Sequence, residues 1–259
     1  MWHSNLFIRH VIRIARVFLL SVWIVTGLIW LAVLFPILSP VRQGKLSQRW
    51  SRGLLRVLAV RLQVTGMPPS ECALVVANHV SWIDPFLLLA VIPVRFVAKD
   101  EVRHWPVFGW LTAQAGTVFI QRERSRDVSR VVNIFVDCLK AHQQVALFPE
   151  GTTTDGSYLR PFKSALFQVA ISQQAGCAPV GLRYRHPAAA WVDDMDFVQS
   201  IWRILALPML DAELIFCPLI PAQHHTRRTL ATASTHAIAS VLYQASQHNQ
   251  SETHADLPT

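Results

Sequence analysis

The chain has 259 residues, enough for one catalytic domain and an appendage, and 52% of them are hydrophobic against 15% charged, a balance unusual for a freely soluble domain. A formal charge of +8 points to an anionic partner. The apolar excess gathers near the N-terminus and no nucleic-acid motif appears, which excludes nucleic acid in favour of an anionic membrane surface.

In chain order, Val17 to Leu38 comes first: 22 residues without a charge, long enough to cross a bilayer and too long for a signal peptide. Arg9, Arg13 and Arg16 precede it; Arg42, Lys45, Arg49, Arg52 and Arg56 come after. Cations on both flanks want the same, cytoplasmic side, which a straight crossing cannot satisfy. Pro36 and Pro40 break the helix. Residues 45 to 60 then predict an amphipathic helix, with Lys45, Arg49, Arg52 and Arg56 on one face and Leu46, Trp50, Leu54 and Val57 on another. The expectation is a two-helix membrane anchor over residues 1–60, on the cytoplasmic face of the inner (cell) membrane and separable from the rest of the chain; the alternative is a single span.

From residue 61 strands and helices alternate. Strand-like runs are Leu62–Thr65, Leu74–Ala77, Arg95–Ala98, Thr117–Gln121, Val145–Phe148, Pro179–Tyr184 and Leu214–Leu219. Val128, Val131, Val132, Phe135 and Leu139 mark one helical stripe, and Phe162–Gln173 and Leu230–Gln244 predict two more helices. The fold class is therefore α/β, a mainly parallel central sheet flanked by helices, over residues 61–245. Residues 246–259 are polar and aperiodic, which predicts a disordered tail. Cys72, Cys138, Cys177 and Cys217 lie far apart with no C-x-x-C, consistent with reduced thiols in a domain facing the cytoplasm.

The stretch Asn78-His79-Val80-Ser81-Trp82-Ile83-Asp84 falls between a strand and the Pro85 that opens a helix. It suits a His79 general base oriented by the Asp84 carboxylate. Taken alone, Asp84 could equally cap the helix and His79 could be an ordinary loop histidine. Three further stretches end or begin strands: Gly116 to Arg122, Phe148 to Gly156, and Ala178-Pro179-Val180. In this order the four resemble the motifs N-H-x4-D, G-x-x-F-I-x-R, F-P-E-G-T and V-P-V of the 1-acylglycerol-3-phosphate acyltransferase family, over about residues 60 to 220.

That resemblance implies an O-acyltransferase of phospholipid biosynthesis. The acyl donor would be acyl-CoA or acyl-carrier protein, the acceptor a lysolipid hydroxyl, with membrane lipids around it and neither cofactor nor metal. His79 would take the hydroxyl proton and Asp84 would hold its tautomer; no acyl-enzyme is needed, in keeping with the absence of G-x-S-x-G. Arg122 would bind the head group bidentately, with Gly151, Thr152 and Thr153 supplying amides and hydroxyls. Glu150 would hydrogen-bond a glycerol hydroxyl or order its loop, and Lys99 and Lys163 match further basic positions. Thr153 stands where many members carry Arg. The favoured acceptor is 1-acylglycerol-3-phosphate, giving phosphatidic acid. The alternatives are another lysolipid such as lyso-ornithine lipid, an acyl thioesterase, or a membrane-binding protein without activity.

Overall fold

The computed structural model describes residues 6–105, 108–121, 125–192 and 195–255. Its elements are α1 (Leu6–Ile29), α2 (Pro40–Val57), β1 (Val60–Thr65), β2 (Ala73–Ala77), α3 (Asp84–Val91), β3 (Val94–Lys99), α4 (Phe108–Gln114), β4 (Val118–Ile120), α5 (Ser125–Lys140), β5 (Gln144–Leu147), α6 (Gln168–Gln173), β6 (Gly176–Tyr184), α7 (Phe197–Leu205), β7 (Leu210–Phe216) and α8 (Arg227–Ala255). The seven strands form one sheet in the order β1-β7-β6-β2-β5-β3-β4. Every neighbouring pair is parallel except β6 with β7.

Strand β2 explains the layering. Its run Ala73-Leu74-Val75-Val76-Ala77 is buried throughout, as a central strand must be when helices cover both faces. The period of two then divides its side chains. Ala73, Val75 and Ala77 join a core with Leu54 and Leu55 of α2, Leu87 and Leu88 of α3 and Ile204 of α7. Leu74 and Val76 join the opposite core with Val131 and Phe135 of α5 and Val169 of α6. The α5 stripe read from the sequence is the one that faces the sheet.

The N-terminal region departs from expectation in one respect. Helix α1 loosens into a π-helical turn at Trp30–Leu34 and a 3-10 turn at Phe35–Ile37, and Ser39 is extended before Pro40 starts α2. Five α2 cations, Arg42, Lys45, Arg49, Arg52 and Arg56, are exposed. The other face of α2 is not free: Leu54, Leu55 and Leu58 are buried in the main core. Gln48 Nε2 donates to Val91 O (2.8 Å) and Arg52 Nε to Ala90 O (2.7 Å), at the carboxyl end of α3. A boundary at residue 60 therefore has no counterpart in the packing, because the leucines of α2 fill the sheet's own core.

Helix α1 lies against α2. Trp23 Nε1 donates to Trp50 O (3.0 Å) and Trp50 Nε1 to Trp23 O (3.1 Å). Its outer side exposes Val11, Ile14, Phe18, Val22, Val25, Ile29, Val33 and Ile37, a stripe stepping every three or four residues. His10–Ile37 is, among the described residues, the one helical run long and apolar enough to cross a membrane.

Two further predictions shift. The helix expected over Phe162–Gln173 begins as a 3-10 turn, Ser164–Phe167, and becomes α6 only at Gln168. The last helix, α8, runs to Ala255, through most of the segment from 246 whose polar composition predicts disorder.

Candidate active site

Parallel strands place their carboxyl ends on one edge of a sheet. Val76 of β2 pairs with Leu147 of β5, and Lys99 at the end of β3 pairs with Ile120 of β4. His79 and Glu150 each lie three residues beyond their paired strand positions, so a separation of 71 residues closes to one hydrogen bond, His79 N to Glu150 Oε1 (2.7 Å).

Asp84 is fully buried and does not cap α3: Ile83 holds the cap position, and the Asp84 carboxylate turns back onto its own loop. Oδ2 accepts from Val80 N (2.7 Å), Ser81 N (2.9 Å) and His79 Nδ1 (2.7 Å). Oδ1 accepts from the Tyr184 hydroxyl at 2.6 Å. With a carboxylate as its partner, Nδ1 carries the proton, so the basic lone pair is on Nε2. The His79 ring stacks on Phe148 with centroids 4.2 Å apart, and Phe148 stacks on Phe96. The imidazole is thus fixed at both its edge and its face. Burial, reinforced by the Asp84 charge, pushes the Tyr184 phenol well above its ordinary range, which keeps it a donor.

The loop after β5 is tied rather than open. Glu150 is buried, and burial pushes its carboxyl up from the usual range. Its second oxygen, Oε2, accepts from Arg160 N (2.9 Å), so both oxygens are occupied by backbone amides. Of the two roles the motif implies for Glu150, this geometry serves ordering the loop. Thr154 N donates to His79 O (2.8 Å), and the Thr153 hydroxyl donates to Trp191 O. Gly151 takes φ +83°, a left-handed turn that lets the chain double back after Phe148.

A cleft of about 1630 Å³ opens over this loop. His79, Phe148, Lys99, Gly151, Thr152 and Thr153 line its polar end, and Trp30, Leu31, Trp50 and Phe86 line the part between the N-terminal helices and α3. Lys163 is exposed and does not line the cleft; its backbone N–H braces Pro149 O at 2.9 Å. Arg122 lies outside the described residues. Tyr184 and Trp191 were not singled out by the sequence, since nothing local distinguishes a tyrosine at a strand end; only its pairing across 100 residues does. Asn78, inside the first motif, clamps β6 through Leu182 N (2.7 Å) and Leu182 O (2.9 Å).

A nearly dry carboxylate, a face-packed histidine and a large apolar cleft with a polar mouth suit deprotonation of a hydroxyl on an amphiphile. Comparison with known proteins agrees. The 1-acyl-sn-glycerol-3-phosphate acyltransferase of Neisseria meningitidis serogroup B is 38% identical over 200 residues, which cover 74% of this chain and 78% of that protein. The chain belongs to the 1-acylglycerol-3-phosphate acyltransferase family. A family model described as Acyltransferase matches residues 61–183 of this acyltransferase. The lyso-ornithine lipid O-acyltransferase of Pseudomonas aeruginosa is 36% identical over 211 residues, 79% of this chain and 81% of that one. The crystal structure of the 1-acyl-sn-glycerophosphate acyltransferase of Thermotoga maritima shares the fold, with a TM-score of 0.66 at 18% identity over 90% of this chain and 98% of the other.

Proposed function

We propose that the protein moves a fatty acyl group from a thioester, acyl-CoA or acyl-carrier protein, to the free hydroxyl of a lysolipid, with 1-acylglycerol-3-phosphate the favoured acceptor. The observation that carries this reading is the His79–Asp84 pair, buttressed by Tyr184, at the polar end of the cleft. Nε2 of His79 takes the hydroxyl proton as the oxygen attacks the thioester carbonyl. Asp84 stabilises the imidazolium that forms, and the proton then goes to the departing thiolate. These steps call for no covalent acyl-enzyme, cofactor or metal. Lys99, Thr152 and the loop after β5 would receive the head group, and the apolar part of the cleft the acyl chain.

In this reading α1 and α2 hold the enzyme on the cytoplasmic face of the cell membrane. The outer stripe of α1 would lie in lipid, and the exposed cations of α2 among anionic head groups. The test is an assay of purified protein against a panel of lysolipids with each donor in turn. Thiol release that requires acceptor supports transfer; release that proceeds without it would make the enzyme a thioesterase.

A second acceptor is favoured by one residue. Thr153 replaces the guanidinium that many members carry, and its hydroxyl is already engaged with Trp191. Losing one charge-assisted contact to a phosphate weakens binding by about 1.5–3 kcal/mol, or about ten- to a hundredfold. A head group with less terminal charge, such as that of lyso-ornithine lipid, would not feel the loss. The Thr153→Arg variant separates the two: better use of lysophosphatidic acid with loss of another, superior substrate would reject the phosphomonoester as native acceptor.

A further inference from the structure

Every residue of β3, from Val94 to Lys99, lines the catalytic cleft. Side chains alternate between the two faces of a sheet, so a cleft lying over one face would meet every second residue. Contact with the whole run means that the cleft follows the edge of the strand. That edge is half open. Strand β4 pairs with Val97, Ala98 and Lys99, whereas Val94, Arg95 and Phe96 pair with β5 on the inner side and with no described strand on the outer. Their outward N–H and C=O groups are left to the cleft, as on any edge strand. His142, which is exposed, and Gln143 line it too, so the cleft opens at the amino edge of the sheet as well as at the catalytic edge.

Arg95 stands in this passage, on the same face of β3 as Val97 and Lys99. Its guanidinium lies 3.5 Å from where a Cβ on Gly116 would stand, and Gly116, at φ +81°, carries none. Beside it on α5 is the Cys138 thiol, a weak acceptor. Among the described residues no carboxylate comes within ion-pair distance of Arg95. Glu71 and Glu101 line the cleft but are exposed. A half-buried guanidinium with a full fork of donors and so little to bond suits an anionic ligand, phosphate above all.

A thioester donor carries its phosphate at a fixed reach. In acyl-CoA and acyl-carrier protein alike, a phosphopantetheine arm of about thirteen bonds joins sulfur to phosphorus, as many as in four to five residues of backbone, or about 15 Å extended. From Lys99, at the catalytic end, back to Arg95 is four residues of strand, about 13 Å. The arm also contains amides, which can pair with an open strand edge. We propose that Arg95 binds the phosphate of the donor's phosphopantetheine arm, which lies extended along the open edge of β3 with its thioester at His79. This rests on the reading of the protein as a thioester-dependent acyltransferase. The water-soluble part of the donor then leaves the cleft at the amino edge, while acyl chains keep the apolar part, so substrates of unlike solubility do not compete for one opening.

The test compares full-length protein with its Arg95→Gln and Arg95→Lys variants on acyl-CoA, acyl-carrier protein and acyl-N-acetylcysteamine, a thioester without phosphate, all with the same acyl chain. The natural donor that wild type uses identifies the source of the arm. On that donor Arg95→Gln should raise KM about ten- to a hundredfold, with kcat and the lysolipid KM unchanged. Arg95→Lys should recover part of the loss. Turnover of acyl-N-acetylcysteamine should be equal in all the proteins, which also shows that the variants fold. An equal loss on this truncated donor, a rise in lysolipid KM, or no change on any donor would overturn the proposal and leave the transferase reading intact. Wild-type protein that turns over none of these thioesters would overturn both. A second measurement needs no variant: phosphopantetheine should compete with acyl-N-acetylcysteamine at least about tenfold better than pantetheine does. Equal inhibition by the two would likewise overturn the assignment of Arg95.

Discussion

Asp84 accepts four hydrogen bonds, three on one oxygen and one on the other, and this asymmetry predicts how its neighbours behave. An amide at position 84 can keep its oxygen toward His79, Val80 and Ser81 while its NH₂ donates to the Tyr184 oxygen. Asp84→Asn should therefore fold normally yet lose about 10²–10⁴ in kcat, since only the charge facing the imidazolium has gone. His79→Ala should abolish transfer; retention of more than a few per cent of turnover would sink the general-base assignment. Tyr184→Phe removes a bond to a charged group, worth about 1.5–3 kcal/mol, from a residue that does not line the cleft. Loss of that brace leaves the carboxylate that orients His79 less firmly held, so kcat should fall about tenfold with lysolipid KM unchanged. A change in KM alone would show that Tyr184 merely shapes the cleft.

At the scale of elements, the loop after β5 and helix α2 are braces whose removal has different costs. Glu150→Ala strands the amides of His79 and Arg160, each costing about 1–3 kcal/mol when buried without a partner. Both kcat and melting temperature should fall, whereas Glu150→Gln, which retains one acceptor, should fall less on each. Were Glu150 instead a ligand of the acceptor, KM would respond and melting temperature would not. For α2, deletion of residues 1–38 should leave a folded domain with weakened vesicle binding. Deletion through Val57 should not fold, because it takes Leu54 and Leu55 from the core beneath the sheet. Truncating such a leucine alone costs about 2–5 kcal/mol, against about 5–15 kcal/mol of total stability. Circular dichroism of the two truncations decides between them.

For the whole molecule, the arrangement of α1 bears on topology. Arg16 near its middle and Trp23 farther along tie it to the turn after α7 and to α2, so it runs beside the domain instead of projecting from it. A straight crossing would have to sever those contacts and carry flanking arginines to the far side. Cysteine labels at positions 5 and 62 should both react only from the cytoplasmic face of sealed membranes. Reaction of the two from opposite faces would establish a span and reject the in-plane anchor.

The amino-acid order by itself determined whatever depends on short-range pattern. The seven strands were legible because apolar β-branched runs between turn residues have few alternatives. The His79–Asp84 loop was legible because five positions fix their spacing whatever else the chain does. Boundaries slipped where the signal is weakest, as at Phe162, where a proline-flanked turn precedes α6 and the apolar residues run straight on. Tertiary structure alone decided three matters. It set Tyr184 against Asp84, a contact between residues a hundred positions apart that carries no local signature. It closed both oxygens of Glu150 on backbone amides, making a brace of a residue whose motif left its role open. And it turned the apolar face of α2 toward the sheet: an amphipathic period says only that one face avoids water, and whether lipid or protein covers it depends on which surface lies within reach once the chain has folded.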